Sequence, residues 1–302
     1  MKKRFLGVLC LTMLLLLFTS GLSFAAKPTI VTTIYPLYDF TKQVVGDKAD
    51  VVLLVPAGVE PHDWEPAPTD MVKIKKAKLF IYNGAGMEEW IDNLQDSVLR
   101  GKKVVKASDY VSVLPAQFTE DGEPATADMM DPHIWLDPVN VQAIVQGVAN
   151  AVSEIDPANG SYYQSNAKLY IAELQALDQE YQTLSHAPRK QIVTSHAAFG
   201  YMAKRYGLQQ VAIMGLAPDA EPTPQRMAEV IRYVKDHGIQ YIFFETLVSP
   251  KLSEVIASEA GAQTLVLNPI EGLTDEEIAQ GANYITEMRM NLTNLKIALG
   301  VN

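Results

Sequence analysis

Three of the five histidines lie among turn residues, in loops or at the junctions between predicted elements. His62 lies in a loop stiffened by three prolines, His133 in the sequence Asp-Pro-His-Ile-Trp-Leu-Asp-Pro, and His196 directly after an apolar run. The other two, His186 and His237, end helical patterns, where a positive charge suits the helix dipole, and we expect them at the surface. Since imidazole nitrogen is a common metal ligand, the three loop histidines are candidate ligands, although each alone is weak evidence.

A metal bound by the mature chain would have only nitrogen and oxygen ligands, because the single cysteine is predicted to be removed. Cys10 lies in the short apolar run Leu6–Phe18, which follows three basic residues and precedes small residues up to Ala25. This pattern predicts a secretory signal peptide over residues 1–25, and the run is too short to span the roughly 30 Å hydrocarbon core. Cys10 also follows Leu9, whereas a lipid anchor would need a small residue there. We expect an exported protein, periplasmic or otherwise, that is soluble after cleavage.

The charge of the chain excludes some partners. Its formal net charge is −10, and removing the three cations of the predicted signal peptide lowers it by three to −13. Such a charge disfavours binding to nucleic acid or to anionic lipid. It suits a cationic ligand, although many soluble proteins are equally acidic.

The elements that must position the candidate ligands alternate between strand and helix in the first half of the chain. The predicted strands are Thr29–Thr33, Val51–Val55, Leu79–Tyr82 and Lys103–Lys106. The predicted helices between them are Leu37–Val45, Thr69–Ala77 and Met87–Leu99. Short, apolar, β-branched runs in this alternation are typical of βαβ units with buried parallel strands.

The second half repeats this order of elements. Its predicted strands are Gln191–Ser195, Val211–Met214, Tyr241–Glu245 and Thr264–Leu267. Helices are predicted to start at Thr223-Pro224 and Ser249-Pro250, and His196 is expected to open a helix after its strand. Thr274 with Glu277 predicts a capping box for the last helix, which Gly300 closes. We therefore predict an α/β protein with two Rossmann-like lobes, each with a parallel sheet.

One long helix is predicted between the two halves. Its apolar stripe recurs at spacings of three and four residues: Tyr163, Ala167, Tyr170, Leu174, Leu177, Tyr181 and Leu184. Such a helix would act as a strut that limits the motion of the lobes, although it could also be an ordinary core helix of one domain. The predicted organisation is a signal peptide (1–25), an N-terminal lobe (26–158), a linking helix (159–187) and a C-terminal lobe (188–302).

Strand ends give the candidate ligands a common location. In open α/β sheets, ligands bind beyond the carboxyl ends of the strands. His62 and His196 follow strands of opposite halves, and Glu271 follows the last strand in Leu-Asn-Pro-Ile-Glu. Three imidazoles and one carboxylate are therefore predicted to meet in a cleft between the lobes.

Four stretches in this order resemble the metal-binding substrate-binding proteins of ABC importers: Gly58–Asp70, Asp131–Pro138, Thr194–Tyr201 and Glu221–Pro224. The resemblance runs from about Thr29 to Gly300. It implies two α/β lobes bridged by a rigid helix, with one transition metal between them. It also implies a receptor, without enzymatic activity, whose partner is a membrane permease, and we expect this receptor to be a monomer.

The resemblance is to the zinc-type, ZnuA/AdcA-like subgroup, which carries histidine at the third ligand position, whereas manganese-type members commonly carry glutamate. It implies that Zn²⁺ is bound by His62, His133, His196 and Glu271, the last of these being a position at which some members use water instead. The chemistry agrees, because Zn²⁺ accepts four-coordinate nitrogen and oxygen, while Mn²⁺ prefers an oxygen-rich shell. A manganese receptor remains the alternative within the family, and Cu²⁺ and Ni²⁺ are not excluded by intrinsic affinity.

Two other classes of function are alternatives. A zinc hydrolase also uses three protein ligands, but it keeps an open position that Glu271 would fill, and the chain contains no HExxH sequence. A surface adhesin that holds a metal is disfavoured by the lack of an anchor.

Further roles are predicted for acidic residues. Asp63, Asp137 and Glu221 are candidates to accept the second N–H of the ligating histidines, or they only cap helices and bond local backbone. The stretch Pro115–Asp131 is acidic and, unlike its counterpart in many zinc-type relatives, contains no histidine. We predict a mobile acidic loop there, without a second tight zinc site.

Overall fold

The computed structural model describes residues 26–94, 97–119, 123–218 and 222–301. The predicted signal peptide and Glu221 lie outside these ranges. Within them, the chain forms two four-stranded sheets, and every pairing between neighbouring strands is parallel. Among the described residues, no helix combines the length and the hydropathy that a membrane span requires.

The N-terminal sheet has the order β2-β1-β3-β4. Its strands are β1 (Thr29–Thr32), β2 (Asp50–Leu53), β3 (Leu79–Tyr82) and β4 (Lys103–Lys106). Ile30 of the central strand β1 pairs with Val51 on one side and Leu79 on the other. Ile30 and its neighbour Val31 point to opposite faces and are both fully buried, as expected for a parallel strand covered on both sides.

The C-terminal sheet repeats this arrangement in the order β6-β5-β7-β8. Its strands are β5 (Gln191–Thr194), β6 (Gln209–Ala212), β7 (Tyr241–Phe244) and β8 (Gln263–Val266). Each predicted strand is present within two residues of its observed start. The α/β architecture with two parallel-sheet lobes is therefore confirmed.

The described α-helices follow the strands in both halves. They are α1 (Tyr35–Val45), α2 (Pro68–Lys76), α3 (Pro138–Ile155), α4 (Gly160–Tyr181), α5 (Gly200–Tyr206), α6 (Pro224–Asp236), α7 (Lys251–Ala260), α8 (Asp275–Ala279) and α9 (Tyr284–Leu299). The predicted helix over Met87–Leu99 is instead a short 3₁₀ helix at Glu89–Leu94. Helix α3 was not predicted, although Asp137 caps it by accepting a hydrogen bond from the Val139 N–H.

Two predicted helix starts are displaced. His196 does not open a helix, since it lies in the turn between β5 and α5. The capping box of Thr274 and Glu277 is present, but it starts the short helix α8 and not the last helix. The chain leaves α8 through Gly281, whose φ of 90° ends the helical path, and Asn283 then caps α9. Gly300 closes α9 in the left-handed conformation, as predicted.

Helix α4 contacts both halves of the molecule. The whole apolar stripe is buried, and the chain continues beyond α4 as a 3₁₀ helix over Gln182–His186. The side-chain amide of Asn166 donates to the Val44 carbonyl of α1 at 3.0 Å. Near its other end, the Tyr181 hydroxyl donates to the Met288 carbonyl of α9 at 2.6 Å. One continuous apolar core extends along α4 into both halves, while the exact limits of the predicted domains stay a prediction.

Candidate metal centre

The four predicted ligands lie at the carboxyl ends of the two sheets. His62 is in the loop after β2, and His133 precedes a 3₁₀ turn that leads into α3. His196 follows β5, the central strand at which the order of the C-terminal sheet reverses, and Glu271 follows β8. This is the edge at which open α/β sheets bind ligands, so the fold brings together residues that are more than 200 positions apart.

The ligand atoms converge on one point. The Nε2 atom of His133 lies 3.3 Å from Nε2 of His62 and 3.3 Å from Nε2 of His196. Glu271 Oε1 lies 3.0 Å from His133 Nε2, 3.2 Å from His196 Nε2 and 3.5 Å from His62 Nε2. A tetrahedral site with zinc–ligand bonds of 2.0–2.1 Å has edges of about 3.3 Å. These five distances, of the six edges that join the four atoms, are therefore already close to the edges of such a tetrahedron.

The cluster is almost sealed from water. The His133 and His196 side chains are fully buried, and the His62 side chain is 3% exposed. The second carboxylate oxygen of Glu271, Oε2, is buried without a hydrogen-bond partner among the described residues. An unpaired buried carboxylate oxygen is costly, and a cation at this point would compensate it. The residues present thus fit a bound divalent metal.

Two carboxylates that were not predicted for this role orient the histidines. Asp131 Oδ1 accepts a hydrogen bond from His133 Nδ1 at 2.8 Å, and Glu245 Oε1 accepts one from His196 Nδ1 at 2.8 Å. A carboxylate only accepts, so Nδ1 carries a proton, and Nε2 is the nitrogen that faces the centre and can bind a cation.

Of the two roles that the sequence left open for Asp137, the structure shows the local one. Its carboxylate caps α3 and pairs with Arg205, which is the local role that the sequence left open. The predicted role of Asp63 stays a prediction, and Glu221 lies outside the described residues. A sequence signal existed for Asp131, two residues before His133. The role of Glu245 could not be predicted from the sequence, because it depends on β7 lying beside β5.

The electrostatics of the cluster depend on its buried charges. Burial lowers the pKa of His133, but the hydrogen bonds and charges of Asp131 and Glu271 outweigh it and raise this pKa. Burial likewise opposes protonation of His196, yet Glu245 and Glu271 hold its pKa well above the usual range. Burial would raise the pKa of Glu271, but the neighbouring histidines hold it well below its usual value. The raised pKa values favour protons on the histidine nitrogens, and a proton on Nε2 must leave before a cation can bind there.

Glu60 is a half-buried acid beside the cluster that sequence reasoning did not single out. Burial, followed by the charge of Glu271, raises the pKa of Glu60 to about 10. Its Oε1 accepts a hydrogen bond from the backbone N–H of His62 at 3.2 Å, whereas its Oε2 lacks a partner in the described structure. At neutral pH the proton on Glu60 keeps a second negative charge away from Glu271.

The loop that carries Glu271 is held in a strained conformation. Ile270 has a φ of 60°, which is rare for a β-branched residue. Its backbone N–H donates to the side chain of Asn268 at 2.8 Å, and Asn291 fixes Asn268 in turn. The indole N–H of Trp135 also donates to the Pro269 carbonyl at 2.7 Å. The last contact ties the loop of Glu271 to the segment that follows His133 in the other half.

A cavity of about 460 Å³ opens beside His62. Met129, Asp128 and Glu89 are among the residues that line it. Asp128 and Met129 belong to the predicted acidic loop, so this loop borders the approach to the cluster. The predicted surface position of the remaining histidines is confirmed, since His186 and His237 are exposed and lie outside the cluster.

The described parts of the acidic loop make hydrogen bonds to each other and to the C-terminal half, while the predicted mobility of the loop stays a prediction. The Ala116 N–H donates to the Met129 carbonyl at 3.0 Å, which pairs the two arms of the loop. The Leu216 N–H of the C-terminal half donates to the Thr119 carbonyl at 3.0 Å, and Phe118 packs against an apolar cluster there. The tip, residues 120–122, lies outside the described ranges.

The chain is similar to known zinc-uptake proteins over most of its length. Residues 30–298 match the family model of the periplasmic zinc-uptake complex component A. The chain is 46% identical over 280 residues to the high-affinity zinc uptake system protein ZnuA of Bacillus subtilis, covering 90% of this chain and 88% of that protein. It is 45% identical over 277 residues to the zinc-binding lipoprotein AdcA of Streptococcus pneumoniae, covering 89% of this chain but only 55% of AdcA.

A solved structure shows the same fold. The Zn(II)-bound ZnuA-like domain of Streptococcus pneumoniae AdcA superposes with a TM-score of 0.79 at 43% sequence identity. The match covers 91% of this chain and 99% of that domain. The match therefore extends over nearly the whole of that domain, while the chain spans about half the length of AdcA itself.

Proposed function

Because the chain belongs to the family of the periplasmic zinc-uptake complex component A, we propose that it is an exported receptor that binds Zn²⁺ and delivers it to the membrane permease of an ABC importer. The proposed zinc ligands are His62, His133, His196 and Glu271. Residues 1–25 are proposed as the signal peptide, and the mature receptor is proposed to act as a soluble monomer outside the cytoplasm. The bound zinc is the cargo of this protein.

One observation carries the proposal: in a buried site, His133 Nε2 and Glu271 Oε1 each lie 3.0–3.5 Å from every other ligand atom, and the four atoms come from both halves. Without a bound cation, burial of three imidazoles against a carboxylate whose second oxygen has no partner would be unfavourable for the free energy of folding. Zinc would unite all four atoms at tetrahedral distances without rearranging the backbone.

The donor set supports zinc over manganese. Three neutral imidazoles and one carboxylate oxygen form a nitrogen-rich shell, whereas Mn²⁺ favours carboxylate, carbonyl and water oxygens. The Zn(II)-bound AdcA domain, which is similar over nearly the whole of this chain, supports the same choice.

A carrier is supported over a hydrolase by the occupancy of the fourth position. Catalytic zinc keeps a position for water or substrate, and here Glu271 Oε1 lies where that position would be. The family consists of components of an uptake system, which agrees with the expectation that the chain is not an enzyme.

Capture would begin at the cavity beside His62, the least buried of the three histidines. The other two histidines are held by Asp131 and Glu245, so zinc meets ligands whose nitrogens already face inward. Because the ligands belong to both halves, binding would fasten the lobes together, while α4 limits how far they separate. Release to the permease would require this fastening to be undone. The division into lobes at residues 26–158 and 188–302, with 159–187 as the link, is part of this proposal.

The test is a competition titration of the metal-stripped mature chain with Zn²⁺ and Mn²⁺ against a chelator of known affinity. One tightly bound Zn²⁺ per chain, not displaced by excess Mn²⁺, is expected for the wild type. His237→Ala, which alters an exposed histidine outside the cluster, is the matched control and should bind like the wild type. A preference for Mn²⁺, or the absence of a tight site, would overturn the proposal.

A further inference from the structure

A single hydroxyl group holds both ends of the acidic loop. The Tyr201 hydroxyl, in α5 of the C-terminal half, accepts a hydrogen bond from the Leu114 N–H at 2.9 Å. The same hydroxyl donates to the Asp131 carbonyl at 2.8 Å. Tyr201 is buried, so both bonds are shielded from water. Leu114 immediately precedes the acidic loop and Asp131 ends it, and the N–H of Asp131 also donates to the Leu114 carbonyl at 2.9 Å.

Gly200, the residue before Tyr201, allows the Asp131 carboxylate to approach the backbone of α5 unusually closely. A Cβ atom placed on Gly200 would lie 2.6 Å from Asp131 Oδ2, closer than real Cβ contacts occur. Gly200 has an ordinary helical role at the start of α5, so backbone conformation does not account for the glycine. Its use here is to let the Asp131 carboxylate lie directly against the backbone of α5.

The carboxylate held in this way is the one that orients His133. Asp131 Oδ1 accepts from both the ring Nδ1 of His133 at 2.8 Å and its backbone N–H at 3.0 Å. The contacts therefore run from α5 through Asp131 to His133, across the boundary between the two halves. Only three residues separate His196 from Gly200, so one short segment supplies one candidate ligand and positions another.

We propose that Gly200 and Tyr201 are positioning residues that keep Asp131 directed at His133 and thereby slow the dissociation of zinc. This inference rests on the proposed function. It predicts that the lifetime of the loaded site depends on a contact between the halves that includes no metal ligand.

The experiment compares Tyr201→Phe with Tyr206→Phe. Tyr206 lies in the same helix, is fully buried, and donates its hydroxyl to Asp178 at 3.0 Å without contacting Asp131. Each substitution removes one buried hydroxyl and leaves the ring, so a loss of general stability affects both. Zinc dissociation into excess chelator is followed by stopped flow, and the thermal midpoint of each metal-free variant is measured alongside.

Tyr201→Phe is expected to release zinc about 10-fold faster than the wild type, since loss of outer partners typically costs about 10–100-fold in metal affinity. Tyr206→Phe should release it at the wild-type rate. The absorption bands of the Co²⁺-loaded protein should shift in Tyr201→Phe and not in Tyr206→Phe, because only the former changes the orientation of a ligand. Equal dissociation rates in the two variants would overturn the inference while leaving the proposed function intact.

Gly200→Ala and Asp131→Asn complete the test. Gly200→Ala should release zinc at least as fast as Tyr201→Phe, because the added methyl group displaces the carboxylate. The effects of Tyr201→Phe and Asp131→Asn should be less than additive in the double variant, since both act through the same contact to His133. Full additivity would overturn the inference even if Gly200→Ala does not fold. A wild-type chain that binds no zinc would overturn both this inference and the proposed function.

Discussion

The two halves share a strand order but hold their candidate ligands differently. In the C-terminal half, His196 lies two residues after β5 and Glu271 lies five residues after β8. In the N-terminal half, His62 lies nine residues after β2 and His133 lies twenty-seven residues after β4. The C-terminal ligands thus lie close to the ends of their own strands, whereas the N-terminal ligands lie on long connections.

The long connections are stabilised by the opposite half. Tyr201 holds the ends of the acidic loop, and Trp135 donates to the carbonyl of Pro269. In contrast, Glu245, which orients His196, comes from the neighbouring strand of the same sheet. A symmetric pair of sheets therefore supports an asymmetric site. On the C-terminal side, which we call the fixed side, His196 is oriented from within its own half, whereas the geometry of the N-terminal side depends on the contact between the lobes.

The largest effect is expected when a ligand of the fixed, C-terminal side is removed. His196→Ala should weaken zinc binding by more than about 100-fold, because loss of a ligand exceeds the about 10–100-fold cost of losing an outer partner. His62→Ala should cost less, since His62 lies on the loop at the cavity and water can replace its nitrogen there. Competition titration of both variants measures this difference. An equal or larger loss in His62→Ala would contradict the assignment of the C-terminal half as the fixed side.

The carboxylates behind the histidines give the next effect. Glu245→Gln and Asp131→Asn should each weaken zinc binding by about 10–100-fold, because each leaves a ligand imidazole without its anionic acceptor. The two should differ in a Tyr201→Phe background, where only the effect of Asp131→Asn is expected to shrink. The affinities of the four variants, measured at one pH, check this. A similar reduction for Glu245→Gln would mean that both histidines depend on the contact between the halves.

The pH dependence follows from the raised pKa values of His133 and His196. Groups with a raised pKa keep their protons up to a higher pH in the metal-free protein, and zinc must displace those protons. Zinc affinity should therefore rise with pH by about tenfold per unit for each displaced proton, until the pH passes these raised pKa values. Calorimetry in buffers of different ionisation enthalpy counts the released protons. A pH-independent affinity with no proton release would show that the metal-free site is already deprotonated.

The smallest effect concerns the contact between the ligand loops. Trp135→Phe removes the indole N–H that donates to Pro269 and should lower the free energy of unfolding by about 1–3 kcal/mol, because it leaves a buried carbonyl unsatisfied. Zinc affinity should fall only a few-fold, since no ligand is lost. Denaturant unfolding of the metal-free variant, together with its zinc titration, separates the two quantities. Unchanged stability would indicate that this bond does not hold the loops together.

Much of the frame could be predicted from local sequence patterns. The β-branched runs, the stripe of α4 and the capping box at Thr274 reflect spacing within one segment, so they were visible without tertiary contacts. Helix α3 was missed although its buried residues also recur at helical spacing and Asp137 precedes Pro138. Where a helix was predicted at Met87–Leu99, the structure has a short 3₁₀ helix, because helix propensity is a weak preference that tertiary contacts can override.

Some features of the candidate site could likewise be predicted from the sequence, and others could not. The four candidate ligands could be named from the sequence because histidines are few and the strand ends of an α/β fold share one edge. Glu245, forty-nine residues from His196, could not, because its role depends on β7 lying beside β5. The left-handed Ile270 and the close contact of Gly200 with Asp131 likewise arise only after the loops have packed. Local patterns were therefore enough to predict most of the elements and the chemistry of the ligands. The orientation of the ligands and the contacts that support them came only from the folded chain, because they depend on atoms that are distant along the sequence.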